Sequence, residues 1–470
     1  MKKHKLITFL ILAICAIQIS AQTKLSKIFG SDMVLQQNQE VSIWGTDSKG
    51  TKIKVSGEWG AEEETITKED GKWKLKIQTP KAGGPYKVSI NGSEKIILKN
   101  VLIGEVWFCS GQSNMAMKMK GGHDQPITGN NEAILNSKNS KIRLFTVKEN
   151  FSTTPLNDIK GGQWKEANPL AVSEFSATAY FYGKLLQMNL DVPVGLIVSS
   201  RGSSPVEAWM DKKTLSQFND IDIPTEMPNS VPQKAPLLLY NAMTYPLLGF
   251  NIKGFIWYQG ESNTKNAHQY KERFTTLINT WRKQWNLGKL PFYFVQIAPY
   301  EWHKPNSALL REAQMQVMQT VENTGMATIL DTDWCKGIHP PNKRIAGERL
   351  AYWALAKTYN IKGFSFSGPI YKSMEVKEDK IEIAFDYAEN GLTNFKKKVT
   401  DFEICGEDKV FYPAKIKFGR KNKITVWSNK IKKPIAVRYG FKNCTNASLY
   451  NTAGIPASSF RTDSWEIENK

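Results

Sequence analysis

Beyond its first two dozen residues, the chain alternates apolar and polar positions with a period of two. The runs at 41–44, 52–56, 73–77 and 86–90 show this most plainly. Asp47-Ser-Lys-Gly50, Glu69-Asp-Gly-Lys72, Gly83-Gly-Pro85 and Asn91-Gly92 punctuate them. A strand sends successive side chains to opposite faces, and Gly, Pro, Asn and Asp supply the dihedrals that turns need. Residues 22–103 are therefore expected to form an N-terminal β-sandwich. Its tryptophans, Trp44, Trp59 and Trp73, are expected in the core or on a sheet face.

From 104 the pattern changes. Mostly apolar runs at 101–108, 192–198, 252–258, 291–297 and 326–330 alternate with helical stretches at 173–188, 265–285, 306–320 and 342–358. Continuous apolar strands are buried on both faces, and their alternation with helices implies a mostly parallel sheet. After about 365 the period of two returns at 380–385, 409–418, 423–427 and 435–439, with turns at 389–392 and 419–422. The expected fold class is α/β: a parallel sheet sandwiched by helices at 104–364, flanked by β-domains at 22–103 and 365–470.

Composition narrows this picture slightly. A hydrophobic fraction of 41% allows a sizeable core. The net charge of +19 comes from lysines spread along the chain. That pattern lacks the basic stripe with interleaved aromatics of a nucleic-acid binder, and suits long-range attraction to acidic polymers such as acidic glycans. Residues 1–21 combine a basic start (Met1-Lys-Lys-His-Lys5), an apolar core to Ile19 and a small residue at the cut, as a secretory leader does. The mature protein is expected to be exported, to the periplasm or outside the cell, with no membrane span. Four cysteines remain, Cys109, Cys335, Cys405 and Cys444, without a C-x-x-C. Cys405 and Cys444 lie in one C-terminal segment and are a candidate pair. Oligomeric state is not legible.

The chemistry gathers at strand ends. The 101–108 run stops at Ser110-Gly-Gln-Ser-Asn114. The next strands stop at Ser199-Ser-Arg-Gly-Ser203 and Gln259-Gly-Glu-Ser-Asn263, and the last at 331–343, which contains Ile338-His-Pro-Pro-Asn-Lys343. In a parallel sheet these loops share the edge where ligands bind. Ser113, Gly202, Asn263 and His339 are thus expected in one crevice. That set suits acyl transfer. Ser113 attacks a carbonyl carbon and His339 takes its proton. The backbone N–H groups of Ser113 and Gly202 and the Asn263 side-chain amide are candidate donors to the oxyanion. The other histidines, His4, His123, His268 and His303, lie in the leader or in polar stretches.

These blocks resemble those of the SGNH hydrolase superfamily, and more closely its sialate O-acetylesterase family. Gly111-Gln-Ser-Asn-Met115, Trp257-Tyr-Gln-Gly-Glu-Ser-Asn263 and Ile338-His-Pro-Pro-Asn-Lys343 occur in the family's order. Met33-Val-Leu-Gln-Gln37, Glu207-Ala-Trp209, Leu310-Arg-Glu-Ala-Gln314 and Gly347-Glu-Arg-Leu-Ala351 also fit, so the match spans nearly the whole mature chain. The resemblance implies a serine carbohydrate esterase that removes O-acetyl groups from sialic acid or other acetylated glycans, without metal or cofactor. It implies Ser113 as nucleophile and His339 as base. It also implies Gly202, Asn263, Gln112 and Glu261 as the oxyanion and substrate set. Two positions depart from the pattern. The second block has one glycine, Gly202, after Arg201. The positions two and three before the histidine, where an aspartate is usual, are Gly337 and Lys336. Asp333 is expected to serve as the acid if the loop bends back at Lys336-Gly337. A Ser–His dyad is the next choice and Glu261 the third, with Asp331 as a loop anchor.

Other readings are an acetylxylan-type esterase and a catalytically impaired glycan-binding relative. A metal hydrolase using Asp331, Asp333, Cys335 and His339 has no helical H-E-x-x-H or paired C-x-x-C behind it.

Overall fold

The computed structural model describes residues 22–304 and 306–467. The expected leader at 1–21 lies outside them. The 17-residue strand Lys95–Gly111 is the spine. Its first half pairs antiparallel with Gly83–Asn91 and, at 102–104, in parallel with Val34–Gln36. Its second half pairs in parallel with Val194–Ser200 on one side and Gly254–Tyr258 on the other. One strand therefore belongs to both the N-terminal and the central sheet.

The central strands run in the order Trp164–Ala167, Asn139–Thr146, Val194–Ser200, Lys95–Gly111, Gly254–Tyr258, Phe292–Val295, Thr324–Ala327. Every neighbouring pair is parallel except the first. The chain adds strands on one side of the spine and then crosses to the other. The strand order thus reverses beside the spine, and the crevice at its carboxyl end is where open α/β sheets bind ligands.

Both faces of the sheet are buried, which explains the continuous apolar runs. Trp107, Cys109, Ile256, Tyr258, Tyr293 and Val295 point to one face, in a cluster with the helices Ala177–Leu190 and Lys343–Trp353. Phe108, Phe255, Trp257, Phe292 and Phe294 point to the other, with Ala267–Trp285 and Ala308–Thr320. The first of these helices starts at Ser176, whose side chain accepts the Ala179 N–H at 3.1 Å.

The N-terminal part has a three-stranded sheet, Lys24–Leu25, Glu40–Thr46 and Lys72–Gln78, beside the strands that continue into the spine. Trp73 is fully buried, and Trp44 and Trp59 pack partly buried against the core. The C-terminal part has two four-stranded sheets and one two-stranded sheet. The 409–418 run, expected as one strand, is two, Phe411–Pro413 and Lys415–Phe418, in different sheets. The break falls after Pro413, which has no N–H to continue a ladder. Cys444 pairs with Cys335 rather than with Cys405. Cys405 ends the buried strand Phe402–Cys405 and is free, as is buried Cys109. Among the described residues no helix is long and apolar enough to cross a membrane.

Candidate active site

The spine ends in a turn that only glycine permits. Gly111 has φ 136°, and a Cβ there would lie 2.2 Å from the Tyr258 carbonyl oxygen. The next N–H, from Gln112, donates to that same carbonyl at 2.9 Å. Gln112 Oε1 accepts the N–H groups of Gly260 and Ser262 at 3.4 and 3.3 Å, so this side chain braces the third block. Ser113 then opens the one-turn helix Ser113–Ala116 and stays partly exposed. Its Oγ lies 2.8 Å from His339 Nε2, across 226 positions of sequence.

The second block closes over the same point. The Arg201 N–H donates to the Gly111 carbonyl at 3.1 Å, and Arg201 pairs with Glu149 at 2.8 Å. A Cβ built on Gly202 would lie 3.5 Å from the Ser113 Cβ, so the two backbones are neighbours. Neither the Ser113 nor the Gly202 N–H has a hydrogen-bond acceptor among the described residues. Asn263 is buried. Its Oδ1 accepts from the Val206 N–H at 2.9 Å and from Gln259 Nε2 at 2.6 Å. Its Nδ2 donates to the Glu207 carboxylate at 2.9 and 3.2 Å, and Glu207 is in turn held by Arg273 at 2.5 Å.

The candidate acids separate clearly. Asp331 forms a bidentate pair with Arg349, 2.6 Å on each arm, and so anchors the loop at the strand's end. Asp333 is exposed, and no hydrogen bond joins it to His339. The expected bend at Gly337 is not where the backbone turns left-handed. That residue is Asp333, at φ 49°. Gly337 makes room instead for Trp334, whose indole nitrogen would lie 2.1 Å from a Cβ. Glu261 is buried, and its Oε1 accepts from Asn114 Nδ2 at 2.6 Å, away from the imidazole. Among the described residues no carboxylate or carbonyl bonds the Nδ1 of His339. Burial, reinforced by Lys343, lowers the imidazole to about 4. The metal-ligand alternative loses Cys335 to the disulfide and Asp331 to Arg349.

Two residues of the site had no role in the sequence reading. Lys343 is buried and donates to Asn114 Oδ1. Asn114 Nδ2 also reaches the Ile338 carbonyl at 3.2 Å. The signal available in sequence was Lys343 itself, four residues after His339 and at the start of a helix.

The chain is similar to several known proteins. The carbohydrate esterase family of sialic acid-specific acetylesterases matches residues 103–351, more than half of the chain. The sialate O-acetylesterase of Homo sapiens is 28% identical over 435 residues, covering 82% of this chain and 80% of that protein. The Mus musculus sialate O-acetylesterase is 27% identical over 511 residues, covering 91% and 92%. A carbohydrate acetylesterase from Xanthomonas citri superposes with a TM-score of 0.86 at 33% identity, covering 94% of this chain and all of that one. The chain belongs to the sialic acid-specific acetylesterase family of carbohydrate esterases and is a carboxylic ester hydrolase.

Proposed function

We propose that the protein is a serine esterase that removes O-acetyl groups from glycans, sialic acid or another acetylated sugar, through an acyl-enzyme on Ser113. The observation that carries this is the 2.8 Å contact between Ser113 Oγ and His339 Nε2 at the carboxyl edge of the sheet. His339 Nε2 accepts the hydroxyl proton as Oγ bonds to the acetyl carbonyl carbon. The carbonyl electron pair moves onto oxygen. There the unpaired N–H groups of Ser113 and Gly202 are the nearest donors. Asn263 is a third. Its Nδ2 carries two hydrogens and now faces the Glu207 carboxylate, from which it would have to turn one toward the oxyanion. Collapse breaks the bond to the sugar oxygen, which takes the proton back from the imidazolium. Water then attacks the acetyl-serine by the same route and releases acetate.

The base works as a Ser113–His339 dyad. Asp333, the acid expected from sequence, stands exposed without a hydrogen bond to His339, and Asp331 is taken by Arg349. Gln112 and Glu261 brace the site from behind. Export is supported by the leader-like composition of residues 1–21 and by the Cys335–Cys444 disulfide, a bond favoured in an oxidising compartment.

The test is Ser113→Ala, assayed for acetate release from acetylated sialic acid and acetylated xylan. The variant should melt like the wild type and lose several orders of magnitude in kcat. Wild-type rates in the variant would remove the serine mechanism. Binding of acetylated glycan without acetate release by the wild type would favour the impaired glycan-binding reading.

A further inference from the structure

Asn114, Glu261 and Lys343 lie behind Ser113 and take no part in the steps above. They are 0%, 7% and 1% exposed. Asn114 Nδ2 donates to Glu261 Oε1 at 2.6 Å and to the Ile338 carbonyl at 3.2 Å, and Asn114 Oδ1 accepts from Lys343 Nζ. One amide therefore joins the residue after the nucleophile, the residue before the base and the first turn of the next helix. Lys343 is an odd choice for stability alone. It is buried, and it is the first residue of its helix, where the macrodipole is already positive. Asn114 stands between its ammonium and Glu261, and the ring of Tyr258 lies 5.7 Å away. A methionine would fill this space without the cost of a buried charge.

We propose that Lys343 is a positioning residue for the hydrolysis: through Asn114 it clamps the nucleophile turn to the histidine loop, and its buried ammonium sets the charge that His339 meets as it takes the Ser113 proton. The proposal rests on the serine-esterase reading. The groups around His339 are few. Its following helix brings Lys343. The third block brings Glu261, through Asn114, and Tyr258, whose ring lies under Lys343. The nucleophile turn brings only the Ser113 hydroxyl. The second block brings Arg201, paired with Glu149. Its own loop brings exposed Lys336 and Asp333, and Asp331 in its pair with Arg349. Lys343 is the one whose charge registers on the imidazole, in the same direction as burial. Burial also pulls Lys343 down to about 7, against Glu261, so the clamp is cationic below neutrality.

The experiment is the pH profile of kcat/KM on a small acetyl ester for the wild type, Lys343→Met, Lys343→Gln, Lys343→Arg and Glu261→Gln, with thermal melts and Ser113→Ala as control. In Lys343→Met the acid limb should move up by roughly half to one pH unit, and kcat should fall about tenfold as the clamp loosens. Lys343→Arg should restore the low limb. Glu261→Gln should leave the limb where it is, because burial raises the Glu261 carboxyl above its ordinary value and it is already neutral near pH 4. Lys343→Gln, which removes the charge and keeps a polar partner for Asn114, decides the matter if Lys343→Met does not fold. An acid limb unmoved in every folded neutral Lys343 variant would overturn the proposal and leave Lys343 as packing. Wild-type rates in Ser113→Ala would instead overturn the reading beneath it, with no bearing on where the limb moves.

Discussion

His339, the proposed base, sits in surroundings that resist its charge. An ordinary imidazole titrates near about 6.5, and burial with Lys343 alongside lowers this one to about 4. The reaction needs the neutral ring, so activity is present above the depressed value and is lost as pH falls through it. The acid limb of kcat/KM is expected near pH 4, and a limb at about 6.5 would show a solvated imidazole. The same shift has a stability side. The unfolded chain takes up this proton at the ordinary value and the folded chain only near 4, so folding weakens as pH drops through that window. His303, also buried and lowered to about 4, adds to it. The missing acid gives a sharper check. Losing the acid of a working triad costs about 10⁴-fold. Asp333→Asn is expected to change kcat by less than about tenfold, and a loss of about 10³-fold or more would restore Asp333 to the mechanism. Ser113, Gly202, Asn263 and His339 were legible because polar residues at the ends of apolar strands converge on one edge. The Lys343–Asn114–Glu261 tie was not. Its partners are chosen by the path of two loops, which residue spacing does not specify.

The loop from 331 to 342 carries His339 and has no regular structure of its own, so its geometry depends on what holds it. Arg349 grips Asp331 at one end, Asn114 grips Ile338 beside the histidine, and the Cys335–Cys444 disulfide ties the middle to the C-terminal part of the chain. Cys335→Ser is expected to lower the melting temperature, since removing a native disulfide costs about 2–5 kcal/mol. It should also reduce kcat several-fold, because the displaced element bears His339. An unchanged kcat would mean that the other two ties suffice. Most elements could be read from the period of the apolar pattern, including the four long helices and five of the central strands. Asn139–Thr146 and Trp164–Ala167 escaped. The first carries Arg143 at a core position, 1% exposed, where a charge argues against a buried strand. Its guanidinium pairs with Glu166 at 3.1 Å and donates to the backbone carbonyls of Asp32, Asn100 and Ser140. Those partners lie up to 111 positions away, beyond the reach of any local pattern.

Across the whole molecule, the domains expected at 22–103 and 104–364 meet on one continuous strand, Lys95–Gly111. The amino half of that strand completes the N-terminal sheet, and its carboxyl tip presents Ser113. The C-terminal part is fastened to the Ala308–Thr320 helix. Arg311 is fully buried and donates to the carbonyls of Gly440 and Lys442, and Arg461 forms a bidentate pair with Glu312 at 2.8 and 2.9 Å. This frame fixes Ser113 and His339, brought from opposite ends of the α/β segment, at hydrogen-bond distance. The central claim is that the two make a covalent intermediate. Intact-protein mass spectrometry of the enzyme, quenched in acid during turnover of an acetylated substrate, tests it most directly. The expected result is a fraction of the protein heavier by one acetyl group, with the group mapping to the peptide that contains Ser113 and absent from Ser113→Ala. Steady acetate release with no acetylated protein, together with full activity in Ser113→Ala, would contradict the account.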